Sequence, residues 1–201
     1  MAKGILIVVS APAGCGKDTI LEQVLKANDN IFYSVSATSR AMRPGETDGV
    51  SYYFKTREQF EQMIADGELL EYTEYVGNYY GTPKKAVTDM LEAGKDVVLK
   101  IEIEGAANVK KMFPDCTMIF ILPPSFAELE RRLRKRGTET DEVIVQRLGT
   151  ARKELKYAEN YDYLITNAAL EDAVDDFLAV VRAEKCRRTR REGVVGELLA
   201  E

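Results

Sequence analysis

The apolar run Ile5-Leu6-Ile7-Val8-Val9 leads without a break into Ser10-Ala11-Pro12-Ala13-Gly14-Cys15-Gly16-Lys17-Asp18-Thr19, where a helical pattern begins. A buried strand running into a Gly-Lys turn and then a helix is how proteins build a cradle for nucleotide phosphates. Glycines let successive backbone N–H groups point into one concavity without a Cβ in the way, and the helix presents its positive dipole end to the anion. A lysine at the mouth adds a full charge toward the β- and γ-phosphates. Two positions depart from the G-x-x-x-x-G-K-[ST] pattern: Ala11 stands at the first glycine, and Asp18 at the metal-binding hydroxyl, with Thr19 just behind it. An ordinary strand–turn–helix corner with a surface lysine is the competing reading, and the nearly continuous β-branched strand disfavours it.

Three further segments read as buried, mostly parallel strands beside the first (4–10): 96–103, 117–122 and 161–165, each short and rich in Val, Ile and Leu. Helical patterns separate them. One runs from Lys17 to about Ala27, and another opens at Thr82-Pro83 with Thr as cap and Pro in the first turn, ending at Gly94. A third starts at Ser125-x-x-Glu128, a capping-box spacing, and runs to Gly137. A long amphipathic helix follows over about 141–159, and a last one starts near Leu170. Strands alternating with helices predict a doubly wound α/β fold. Residues 34–81 break the rhythm with Ser, Thr, Tyr, Arg and Gly, and with a small helix at Thr56-x-x-Gln59, which predicts an inserted mixed lobe.

Composition removes several classes of function. The chain has 201 residues, a net charge of −5 and a pI near 5.1, which argues against a general nucleic-acid-binding surface. Its three cysteines form no C-x-x-C pair and it has no histidine, so neither a zinc site nor a disulfide framework is expected. Any catalysis rests on carboxylates, lysine, arginine and bound metal. Cys15 reads as a small loop filler. No apolar stretch approaches the roughly 18 residues of a membrane span, and the chain enters a strand at once. A cytoplasmic protein with no membrane partner is the expectation; oligomeric state is not legible.

The most diagnostic residues lie in the middle segment. They are Ser36-Ala37-Thr38-Ser39-Arg40-Ala41-Met42-Arg43-Pro44-Gly45-Glu46, then Gly49-x-x-Tyr52-x-Phe54, Glu71, and Gly77-Asn78-Tyr79-Tyr80-Gly81-Thr82. With the arginine run 131–136 and the segment Tyr161-Asp162-Tyr163-Leu164-Ile165-Thr166-Asn167, the chain resembles the guanylate kinases over nearly its whole length. That resemblance implies a P-loop NTPase-type three-layer α/β fold with a central, mostly parallel sheet, an inserted GMP-binding lobe and a helical lid. It implies a core of 1–33, 83–124 and 160–201, a GMP-binding lobe of 34–82 and a lid of 125–159. It also implies ATP and GMP as small-molecule substrates, with Mg²⁺.

The chemistry of these residue types fits that expectation. A nucleotide phosphate wants planar guanidinium donors and neutral hydroxyls; by resemblance Arg40, Arg43, Tyr52 and Tyr80 bind the GMP phosphate. A carboxylate accepts from guanine N1–H and the exocyclic amine, a donor pair adenine lacks; Glu71 matches this role, with Ser36 and Thr82 on other edges of the base. Tyr53 and Tyr79 read as packing. Phosphoryl transfer rests on positioning and charge neutralisation, for which Lys17, Arg136 and Arg147 are the catalytic candidates and Arg132 and Asn167 further ATP contacts beside the loop 11–19.

The strand 96–103 carries a second departure, because the family places acids at alternating positions there. Lys100-Ile101-Glu102-Ile103-Glu104, read with period two, puts Lys100, Glu102 and Glu104 on one side. Glu102 fills an acidic role near GMP and Mg²⁺. Lys100 pairs with Glu102 or with a substrate phosphate. Asp18 either binds Mg²⁺ itself or repels the phosphates. The basic tail 185–191 reads as dipole complementarity and solubility. Two other readings stay open: a binding module without turnover, and a kinase for a related phosphorylated substrate.

Overall fold

The computed structural model describes residues 3–135 and 140–200. In chain order the elements begin with β1 (Leu6–Ser10), α1 (Lys17–Ala27), β2 (Ile31–Tyr33), β3 (Ala37–Thr38) and β4 (Tyr53–Phe54). Next come α2 (Arg57–Ala65), β5 (Leu69–Tyr75), β6 (Asn78–Pro83), α3 (Lys84–Glu92) and β7 (Asp96–Lys100). The remainder is α4 (Ile103–Met112), β8 (Thr117–Leu122), α5 (Phe126–Lys135), α6 (Asp141–Leu155), β9 (Tyr163–Thr166), α7 (Leu170–Lys185) and α8 (Val194–Leu199).

Five strands form a sheet in the order β2-β7-β1-β8-β9, and every pairing in it is parallel. Both faces are covered, which is why its strands read as continuous apolar runs. Ile5, Ile7 and Val9 join Ile20 and Val24 of α1 and Phe177 and Val181 of α7 on one face. Leu6 and Val8 join Val87 of α3 and Ala106 and Val109 of α4 on the other. This is the expected α/β architecture, with the glycine loop at the carboxyl edge of the central strand. A second sheet, ordered β4-β3-β6-β5, is built from residues of the middle segment. Its helix α2 starts with the expected capping box, Thr56 and Gln59 each bonding the other's backbone N–H.

Several elements differ from the expectations. β2 is a fifth strand, three residues long, too short for a periodic signal. β7 stops at Lys100, and the chain turns at Glu102 into α4, so 100–104 is no period-two strand. The alternation Ile101-Glu102-Ile103-Glu104 imitates a strand, but pairing with β1 ends at Lys100, opposite Val9. Thr82 is no helix cap: β6 extends to Pro83, opposite Leu69, and α3 begins at Lys84. α6 ends at Leu155 and a 3₁₀ turn covers Lys156–Asn160. In the basic tail, Arg190 and Arg187 pair with the buried Glu184 at 3.1 and 3.5 Å, tying the segment to the body. No helix among the described residues is long and apolar enough to cross a membrane.

Candidate active site

The phosphate loop is held from behind. Gly14 and Gly16 take φ of 95° and 84°, left-handed values that turn the loop into α1. The Asn167 side-chain amide donates to the Cys15 carbonyl at 2.8 Å, so Asn167, read from sequence as an ATP contact, supports the loop. A Cβ on Gly16 would lie 2.4 Å from that amide nitrogen. Arg132 donates to the Asn167 carbonyl at 2.9 Å and to Glu128 at 2.8 Å, linking α5 to the same point. Ala11 and Cys15 are buried, and burial pushes the Cys15 thiol up to about 12, which agrees with a filler. Pro12 accepts from the Cys15 N–H at 3.2 Å, and Ala13, Asp18 and Thr19 are exposed at the rim. Loss of solvent around Lys17 draws its ammonium below the usual lysine range, with the Glu102 carboxylate opposing.

Between the two sheets opens a cavity of about 260 Å³. Ser36, Arg40, Arg43, Tyr52, Glu71, Tyr80 and Glu102 all line it, so seven of the residues singled out from sequence meet there. One end is basic. Arg40 grips Glu46 through both guanidinium nitrogens, at 2.7 and 3.0 Å, and lies 5.5 Å from the Tyr52 ring centre. Glu46 also accepts from the Arg43 N–H at 2.7 Å, and its carboxyl is held down to about 2, chiefly by Arg40. Glu46 stood in the diagnostic run, but nothing in its spacing announced this bracing role. Tyr79 stacks on Phe60 with ring centres 5.3 Å apart, the packing role expected of it. Tyr53 is exposed instead.

The other end holds Glu71, only 6% exposed. An irregularity in the β5–β6 register between Leu69 and Glu71 inserts Leu70. Such a bulge lets neighbouring side chains both turn inward; Leu70 and Glu71 are each buried. Thr82 donates its hydroxyl to Glu71 at 2.7 Å, the use that replaces helix capping. Burial pushes the Glu71 carboxyl up to about 7 against that hydrogen bond. On the far side, Gly105 in the first turn of α4 comes so close that a Cβ there would meet Glu71 Oε2 at 2.7 Å. Gly105 escaped the sequence reading because α4 itself did.

The cavity meets the phosphate loop at Lys100. Its ammonium bonds Asp18 Oδ1 at 2.8 Å, so its partner is neither of those expected from sequence in the free protein. The Ser10 hydroxyl donates to the Ile101 carbonyl at 2.9 Å, joining the loop's start to the same segment. Glu102 immediately precedes α4, and Glu154 of α6, unsuspected from sequence, also interacts electrostatically with Lys17 and Glu102. Arg147 sits half-buried on α6, and Arg136 lies outside the described residues. Among the described residues no group of three or more His, Cys, Asp or Glu side chains could cage a metal.

The comparisons with known proteins point one way. A family model described as guanylate kinase matches residues 3–184. A guanylate kinase of Halalkalibacterium halodurans is 53% identical over 188 residues, spanning 94% of this chain and 92% of its own. One from Carboxydothermus hydrogenoformans is 54% identical over 190 residues, covering 94% and 93%. Among solved structures, a guanylate kinase from Anaplasma phagocytophilum superposes with a TM-score of 0.81 at 35% identity, covering 98% of this chain and 94% of its own. With a parallel sheet carrying the phosphate loop and an acid-and-arginine cavity beside it, the chain belongs to the guanylate kinase family.

Proposed function

We propose that this chain transfers the γ-phosphoryl group of ATP to GMP, giving ADP and GDP, and that the cavity between the two sheets is its GMP site. The observation that carries the assignment is polarity within one cavity. A buried carboxyl, Glu71, and the Arg40–Arg43 pair line the same cavity without pairing with each other, and Lys100 joins it to the phosphate loop. The Glu71 carboxylate accepts from guanine N1–H and the exocyclic amine, with Ser36 and Thr82 on other edges. Arg40, Arg43 and the Tyr52 and Tyr80 hydroxyls take the phosphate, and Glu46 keeps Arg40 pre-oriented at low entropic cost. In this reading residues 34–82 are the GMP-binding lobe, 125–159 the lid, and 1–33, 83–124 and 160–201 the core.

In the reaction a GMP phosphate oxygen forms the bond to the γ-phosphorus while the bond to the β–γ bridging oxygen breaks, and its electron pair leaves with ADP. The side chains supply position and charge. Backbone N–H groups of the loop from Gly14 to Thr19, apart from that of Cys15, and the Lys17 ammonium hold the ATP phosphates, and Arg132, Arg136 and Arg147 add guanidinium groups from the lid side. The donor set suits Mg²⁺, which prefers a few protein oxygens and keeps waters and substrate phosphates as its other ligands. Asp18 and Glu102 would hold it, and it would supply charge neutralisation for the transferring phosphates. The presence of Lys17, Arg40, Arg43 and Glu71 together supports turnover over a binding-only module. In the test, the wild type and Glu71→Gln are offered GMP and AMP; the variant loses its preference for GMP. An unchanged GMP/AMP ratio would overturn the assignment of the base end.

A further inference from the structure

The two departures of this chain from its family's pattern, Asp18 in the loop and Lys100 at the end of β7, meet in space. They are 82 residues apart in sequence, and their charged atoms are 2.8 Å apart. An acid stands where a hydroxyl was expected and a base where an acid was expected, so the net charge of the junction rises by one, from −1 to 0. Lys100 also lines the cavity that holds Arg40, Arg43, Tyr52 and Tyr80. It lies at the carboxyl edge of the parallel sheet, the edge at which such sheets bind ligands. One ammonium therefore touches the donor loop and the acceptor cavity together.

We propose that Lys100 is a phosphate-binding residue, which leaves Asp18 for the phosphate of the acceptor nucleotide and bridges it toward the transferred phosphoryl group. The proposal rests on the guanylate kinase reading and adds a contact to it. Two observations support it. The Lys100 side chain is 25% exposed and Asp18 78% exposed, so water screens the pair and a phosphate dianion competes well for the ammonium. The Tyr33 ring centre lies 5.7 Å from Lys100 Nζ, a cation–π contact that holds the head group near the cavity independently of Asp18.

The experiment is calorimetric binding of GMP and of guanosine, without ATP or metal, to the wild type, Lys100→Met and Lys100→Arg. A charge-assisted contact to phosphate contributes about 1.5–3 kcal/mol, which corresponds to roughly 10- to 100-fold in affinity. Lys100→Met should weaken GMP by that factor and leave guanosine unchanged, while Lys100→Arg retains most of the GMP affinity. Equal GMP affinity in Lys100→Met and wild type would overturn the proposal while leaving the family's reaction intact. Parallel loss of GMP and guanosine would overturn it too, because Lys100 would then be shaping the cavity instead of holding phosphate. A wild type that binds neither would instead sink the GMP reading on which the proposal stands.

Discussion

Replacing Glu71 by glutamine removes a carboxyl that the fold holds out of water, and the consequence is calculable. Glu71 is 6% exposed, bonded by Thr82 at 2.7 Å and covered by Gly105. Burial raises its carboxyl from 4.5 to about 7. Between those two values the folded chain binds more protons than the unfolded chain, so stability falls as pH rises through the interval and levels off above it. At about 1.4 kcal/mol per unit the full penalty is about 3 kcal/mol. Glutamine keeps an acceptor for Thr82 and has no charge to bury. In urea unfolding the two proteins should be nearly equal at pH 5, and the variant more stable by about 2–3 kcal/mol at pH 8. The same carboxyl must ionise to accept from guanine. The wild type should therefore bind guanosine, which carries no phosphate to titrate, roughly tenfold more tightly at pH 8 than at pH 6. The variant should show weak binding at both. Stability curves of the two proteins that run parallel from pH 5 to 8 would refute the claim that burial governs this group.

Further outcomes follow from other contacts. Gly16→Ala combines a left-handed φ, which costs roughly 1–2 kcal/mol outside glycine, with a collision against the Asn167 amide. It should lower the melting temperature and raise the KM for ATP at least tenfold; an unchanged ATP KM would contradict the loop geometry. Glu46→Gln loosens the two-nitrogen grip on Arg40, so the KM for GMP should rise severalfold with kcat little changed, as steady-state kinetics would register. Cys15, with its thiol pushed up to about 12, should resist iodoacetamide at pH 8 while exposed Cys186 is alkylated. Peptide mass spectrometry reads both sites, and early labelling of Cys15 would contradict its burial.

What was legible in the sequence was whatever a short segment encodes by itself. The loop 10–19, the strand 117–122 and the capping box at Thr56 carry their own signals, and the structure matches them. The GMP-side set came from the resemblance; seven of its eight members line one cavity, and Thr82 meets it only through its bond to Glu71. What escaped depended on contacts across the fold. β2 has three residues and exists because β7 pairs with it. α4 hid behind an alternation that imitates a strand, and with it went Gly105 and the true place of Glu102. Thr82-Pro83 has the composition of a helix start, but the buried Glu71 claims the threonine hydroxyl. Asn167 read as an ATP contact, yet the Cys15 carbonyl, 152 residues away, takes its amide. Nothing local in Asp18 or in Lys100 names the other, so their ion pair had to await the fold.

The measurement that bears most directly on the account is ADP production from ATP and Mg²⁺ with GMP, AMP, CMP and UMP offered separately. Turnover with GMP and little or none with the other three is the predicted result, and it would show that Asp18 and Lys100 belong to a working site. A folded protein that turned over none of them, or preferred AMP, would contradict the reading of the cavity as a GMP site.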